Sequence, residues 1–442
     1  MSRKDDIIDI NFDNEYQEDK NSGKHIIDVK LDEDNLLEKK LDIDVNTGKA
    51  DNAISFINEI TEPIRKVLND ESILSSLVDS HYRGNPSLTG KFISEMPYPE
   101  GIGVTFRKKF ISLLKDEFLN TILENNRFIA ASSVLGNIYL TDRFTGSIKF
   151  KISPPNAVFE KTGVTLRNTF YINSVRSIYE ISTKMDNFSG EYKEIFTASE
   201  DSFIWTNLNS KGDEICFITY SPSTGKSAFV SLNIDDRSYY EYEFFAEKDV
   251  SDSICMAGDH IYFTYDKKLV KYISAGNVEE LDLSFNVNFS FPLIYLNYKL
   301  FCINELNEIF YREISKSSIW KFTGIRSEHI TSFIGYEDNL FIGMLNGWKA
   351  FKCTGTEFFS FEDDSEMKAE AVSASILAVS KGNKIIYYNL KRFTEAEGYI
   401  TGNGNRETGE IKSVIISFNN IYILTTKGTL ECFTADNLNI HI

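Results

Sequence analysis

Five cysteines, five histidines and a few compact polar runs are the places in this chain where residue types could do chemistry. Cys216, Cys255, Cys302, Cys353 and Cys432 are far apart, each in an apolar run. A zinc site needs Cys-x-x-Cys or His-x-x-x-His spacing so that ligands converge on one ion, and no such pair occurs. An odd number of isolated cysteines predicts buried free thiols in a reducing compartment, not a disulfide framework. The acidic run Glu362-Asp363-Asp364-Ser365-Glu366 offers hard oxygen ligands, but its spacing fits no EF-hand loop, so it reads as a solvated loop. Gly402-Asn403-Gly404-Asn405-Arg406 has the glycines of a phosphate cradle without the strand-to-helix context that aims backbone N–H groups at an anion. It reads as a loop. His81-Tyr82-Arg83 sits in linker-like sequence with no base or nucleophile beside it, and no catalysis is assigned to it. The expectation is therefore no catalytic residue, no metal and no cofactor.

What the sequence does specify is architecture. Arg127 to Ile152 reads as three short strands, RFIAASSV, NIYLTD and SIKFKI, cut by turns at Leu135-Gly136 and Arg143-Phe144-Thr145-Gly146. Alternating apolar and polar positions rich in β-branched and aromatic residues, with Gly every six to eight residues, mark an antiparallel meander. The unit recurs at roughly forty-residue spacing, with a second strand predicted at 127–134, 168–175, 214–220, 260–265, 299–304, 339–344, 374–380 and 420–425. Such a period predicts an all-β fold, a β-propeller of about eight (alternatively seven) four-stranded blades over residues 101–442. The last unit supplies three strands and then stops. Gly103–Lys109 is expected to lend the fourth, which closes the ring and removes a free sheet edge.

The first unit resembles the repeat of quinoprotein-like (PQQ-type, WD40-like) β-propellers, whose blades carry a turn Asp-x-x-Thr-Gly followed by a docking Trp. Asp142, Thr145 and Gly146 match that turn, and Phe150 stands in the place of the Trp. Ser221-Pro222-Ser223-Thr224-Gly225-Lys226 is a weaker echo. The resemblance implies structural roles: Asp and Thr side chains hold the turn, Gly permits positive φ, and the aromatic packs between blades. It speaks for architecture, not for cofactor use.

Around the propeller the composition changes. Residues 1–50 hold 8 Lys/Arg against 14 Asp/Glu, a net of −6 within a total of −18. This acidic leader is expected to be disordered when alone, because it has too little apolar surface to offset its ordering entropy. It nevertheless repeats one pattern, Ile7-Ile8-Asp9-Ile10-Asn11-Phe12-Asp13 and Ile26-Ile27-Asp28-Val29-Lys30-Leu31-Asp32, with Leu41–Val45 a third, weaker copy. Branched apolar residues alternating with acidic ones suit a segment that adds as a strand to a partner's sheet, so Ile7, Ile8, Ile10, Phe12, Ile26, Ile27, Val29 and Leu31 are the candidate partner-binding residues. Residues 51–100 read as a helical segment and linker, with Ile54, Ile57, Ile60, Ile64, Val67 and Leu68 at three- and four-residue spacing. The acidic balance disfavours nucleic acid and anionic membranes as partners, and no apolar span suggests a signal peptide or a membrane crossing. The reading is a cytoplasmic, non-catalytic scaffold that binds other proteins in a larger assembly. Its rivals are a structural component of a virion or secretion apparatus, and a propeller hydrolase or lyase with carboxylates around a central channel.

Overall fold

The structure is a computed structural model that describes residues 24–27, 41–44, 78–85, 87–88, 106–183, 190–246, 250–314, 319–327, 329–373, 376–390, 395–400, 409–418 and 420–435. The chain divides into two compact units, Met1–Leu74 and Ser75–Ile442. Within the first, Lys24–Ile27 pairs antiparallel with Leu41–Asp44, which sets Ile26 opposite Asp42 and Ile27 opposite Leu41. Ile7, Ile8, Ile10, Phe12, Val29 and Leu31 lie outside the described residues, as do the helical stripe from Ile54 to Leu68 and the run Gly402–Arg406.

The second unit is a β-propeller of eight antiparallel blades. Blades 1 to 7 occupy residues 123–152, 164–197, 203–245, 255–282, 294–326, 330–362 and 368–400 in order. Blade 8 is built from Ile411–Ser417, Asn420–Thr425 and Thr429–Ala435, with Phe106–Leu113 as its outermost strand. The ring is thus closed by a strand from before blade 1, a few residues further along than Gly103–Lys109. The eight second strands, Phe128–Ser132, Thr169–Asn173, Glu214–Ser221, His260–Tyr265, Lys299–Ile303, Asn339–Met344, Ile376–Lys381 and Asn420–Thr425, fall where the repeat predicts them. Blade 3 departs from the pattern at its inner edge, where Phe203–Ile204 and Asn209–Lys211 both pair with Glu214–Ser221.

Burial explains why the second strands were legible. Phe128–Ser132, Thr169–Asn173 and Asn420–Thr425 are buried at every residue, because each blade packs against a neighbour on both faces. Strands of that kind read as continuous apolar runs. The outermost strands, such as Tyr239–Phe245 and Glu357–Glu362, instead keep much of their surface exposed and mix charged with aromatic residues. The core has no single centre. Each apolar cluster spans two or three adjacent blades, and the one joining blades 7, 8 and 1 carries Ala371, Tyr387, Ile423, Cys432, Phe118 and Ile129. All five cysteines are free and buried in these seams. Burial pushes the thiols of Cys216, Cys353 and Cys432 up to about 12, and those of Cys255 and Cys302 up as well. Such thiols carry little thiolate and little reactivity.

Strand alternation assigns the loops to two faces. Each innermost strand is entered from the linker between blades, so these linkers and the second-to-third turns share one face, called upper here. The first-to-second and third-to-fourth turns share the lower face.

Candidate functional site

The bore of the ring is where chemistry-bearing residues converge. Residues 78–85 and 87–88, read from sequence as linker, lie inside it. The segment enters at the lower face, where Val78 N donates to Asn168 Oδ1 at 2.9 Å in the first turn of blade 2. Ser80 then pairs with Thr165 on the innermost strand of that blade. His81 Nε2 meets Ser210 Oγ of blade 3 at 2.6 Å, and Ser87 Oγ donates to Met256 O of blade 4 at 3.0 Å. Tyr295 N of blade 5 donates to Ser87 O at 3.1 Å, and an Arg83 Nη1 hydrogen bond reaches Phe333 O of blade 6. One segment therefore touches the inner strands of five consecutive blades. Leu88, 1% exposed, anchors its far end in the apolar seam of blades 4 and 5.

Its apex is a single 3₁₀ turn, Tyr82–Gly84, in which Arg83 takes a left-handed backbone conformation (φ 55°, ψ 34°). A non-glycine residue held there costs stability unless its surroundings enforce it, and such positions cluster at binding sites. Burial holds the His81 imidazole neutral by lowering its pKa to about 3.

Above the apex is a cavity of about 290 Å³, partly open to solvent. Its wall combines the starts of the innermost strands of blades 6, 7 and 8 with the plug residues His81, Tyr82 and Arg83 and with linker residues Thr121, Ile122 and Ser290. The ionisable groups on it are Arg83, Lys368, Glu370 and Lys412, together with His81 and Tyr82. Lys368 Nζ pairs with Glu366 Oε1 at 3.2 Å, and Glu370 Oε1 accepts from Ser380 Oγ at 2.6 Å. Among the described residues, the Lys412 ammonium makes no hydrogen bond or ion pair, and Glu370 acts on it only at a distance. Burial raises the Glu370 carboxyl against the pull of Ser380, Lys368, Arg83 and Lys412. Burial lowers the Lys412 ammonium, with Glu370 opposing and Lys368 and Lys161 adding to the shift. A carboxyl pushed up beside an ammonium pushed down, both facing a cavity, is an arrangement suited to binding a charged ligand or moving a proton.

The turn singled out by sequence does different work, at the seam between blades 8 and 1. Asp142 Oδ1 accepts from Phe144 N, Thr145 N and Thr145 Oγ1 at 3.0, 2.9 and 3.0 Å. Gly146 has φ +74°, and a Cβ there would fall 2.4 Å from the ring of Phe110 on the closing strand. Ser112 Oγ of the same strand donates to Gly146 O. Phe150 packs edge-on to Phe128 with centroids 6.1 Å apart, half-buried in the cluster shared by blades 1 and 2 and beside Gly190. The echo at Ser221–Lys226 closes the same kind of turn, Gly225 N donating to Ser221 O at 2.9 Å, but between the second and third strands of its blade.

Arg143, inside the matched turn, was missed. It is fully buried, its Nη2 3.1 Å from both Glu124 Oε2 and Ser417 Oγ, so it ties blade 1 to blade 8. Its guanidinium lies 4.8 Å from the Phe418 ring centroid. The remaining candidates are surface features. Asp363 of the acidic run pairs with Lys381 at 2.8 Å, and among the described residues no group of His, Cys, Asp and Glu could hold a metal ion.

No family model matches the sequence, and no curated protein matches it. Solved structures match the fold. The chain is similar to the computationally designed Ika8 protein (TM-score 0.56, 13% identity, covering 73% of this chain and 98% of that one). It is also similar to BamB from Moraxella catarrhalis (TM-score 0.54, 11% identity, covering 75% of this chain and 100% of that one). At such identities the likeness defines the fold alone, a β-propeller. Among the described residues, no helix is long and apolar enough to cross a membrane.

Proposed function

We propose that this chain is a non-catalytic propeller scaffold, of quinoprotein-like descent, that mediates protein–protein interactions within a larger cytoplasmic assembly. The observation that carries the reading is the plug. The ring is closed on itself, and its lower bore is occupied by residues 78–85 and 87–88 of the same chain. A closed and filled ring is a rigid platform whose loops are free to vary, and rigid platforms with variable loops suit multivalent binding. The plug is continuous in sequence with the leader, so a partner captured there is joined to the ring through the chain. In this reading the segments Ile7–Asp13 and Ile26–Asp32 bind partners by adding a strand, with Ile7, Ile8, Ile10, Phe12, Ile26, Ile27, Val29 and Leu31 supplying the apolar contacts.

The test compares affinity captures by the full-length chain, a chain of residues 75–442, and an Ile8→Asp, Ile27→Asp double variant. The truncated and doubly substituted proteins are expected to melt like the full-length protein and to lose its partners. Identical partner sets from all three contradict the leader's role and place the binding surface on the blades.

A further inference from the structure

We propose that the upper bore is a binding site for a small multivalent oxyanion, a tricarboxylate or a phosphate, held between Lys412, Arg83 and the hydroxyls of Ser332 and Ser413. The site is independent of the leader and adds a ligand to the scaffold. Its lining is cationic in balance, with Arg83, Lys368 and Lys412 against Glu370. Lys368 already shares its charge with Glu366, which leaves Lys412 and Arg83 as the groups able to answer an anion. Lys412 lies on the innermost strand of blade 8, half-buried, with no partner among the described residues. Glu370 acts on this ammonium across the cavity without pairing with it, and an ammonium taken partly out of water without an ion pair is a cost the fold does not need, because an apolar residue of similar length would fill the same place. A ligand that supplies the missing negative charge accounts for it.

Hydrogen-bond capacity on the wall points the same way. Ser332 Oγ accepts from Ala369 N at 2.7 Å and Ser413 Oγ accepts from Ile122 N at 3.3 Å. In each case the hydroxyl is oriented by a backbone donor, and its own proton remains available to an acceptor in the cavity. Arg83 is presented by a left-handed backbone turn, and its Nη1 hydrogen bond to Phe333 O fixes the guanidinium at the cavity wall. A cavity of about 290 Å³ is at the small end of ligand pockets and suits a small polar ligand.

The experiment is calorimetric titration of the full chain with citrate and, separately, inorganic phosphate at low ionic strength, paired with thermal melts. One-to-one binding of at least one of the two anions is expected, with a rise in melting temperature. The arm that binds more tightly identifies the source of the oxyanion. Lys412→Met is expected to weaken that binding at least tenfold while its ligand-free melt equals or exceeds that of the unsubstituted protein. Lys412→Arg is expected to retain binding. If Lys412→Met does not fold, Lys412→Gln replaces it with the same expectation for binding. Absence of binding by both anions at millimolar concentration overturns the proposal, as does a neutral Lys412 variant that binds as tightly as the unsubstituted chain.

Discussion

The seam between blades 8 and 1 and the upper bore both bury charge, and they treat it differently. At the seam Arg143 has no exposure, and its guanidinium meets Glu124, Ser417 and an aromatic ring. In the bore the strand-borne Lys412 faces a void with Glu370 nearby but no ion pair joining them. A buried ion with a fitted partner is explained by the fold, since breaking it would strand the other charge. A half-buried ammonium that faces a cavity with no ion pair among the described residues is not, and the contrast separates a charge that holds the ring shut from one held ready for a ligand.

The comparison can be broken most severely at the seam. Deleting residues 106–113 removes the outer strand of blade 8 and the Phe110 and Ser112 contacts to Gly146, and the cooperative melt should be lost. A deletion protein that melts like the parent would mean that another segment closes the ring. Arg143→Ala leaves Glu124 buried without its counter-charge, and urea unfolding should show a loss of about 3–5 kcal/mol. Gly146→Val places a β-branched residue at positive φ against Phe110 and should cost up to about 3 kcal/mol, read from the same denaturation curves. Phe150→Ala should cost about 2 kcal/mol, below the figure for a fully buried ring because Phe150 is half-exposed. An unchanged midpoint would move its ring off the seam of blades 1 and 2.

The smallest effect concerns the plug and depends on pH. The His81 pKa is about 3 when folded and near 6.5 when unfolded. Below pH 6.5 the unfolded chain therefore takes up a proton that the folded chain refuses. The stability this neutral histidine contributes is complete above pH 6.5 and declines as pH falls toward 3, at most by about 1.4 kcal/mol per unit. Urea midpoints at pH 7 and pH 5.5 should differ less in His81→Gln than in the parent. Equal differences would mean that His81 is open to solvent and the plug is not seated.

How much of this was legible follows from the distances in sequence that each feature spans. Blade strands pair with sequence neighbours, and the second strands are buried on both faces, so continuous apolar runs, aromatic density and the turn glycines reveal them. Closure was legible because the last unit lacks a strand. The bore was not. His81 finds Ser210 across 129 residues and Arg83 finds Phe333 across 250, and nothing in a run rich in Gly, Asn and Ser marks it as interior. Arg143 looks like a solvated turn residue until the ring closes and brings Ser417, 274 residues away, to its guanidinium. Glu370 and Lys412 sit near the starts of innermost strands, in slots that alternate with apolar residues as ordinary exposed positions do. Periodicity identifies such slots, but which of them share a cavity is decided only by the ring.

The claim on which the account depends is that residues 78–85 and 87–88 belong to the propeller. Differential scanning calorimetry of chains beginning at Ser75 and at Thr89 tests it directly. The account predicts that the longer chain melts with the full-length protein, and that the shorter one, stripped of Val78, His81, Arg83 and Leu88, melts several degrees lower. Equal melting temperatures for the two chains would contradict it.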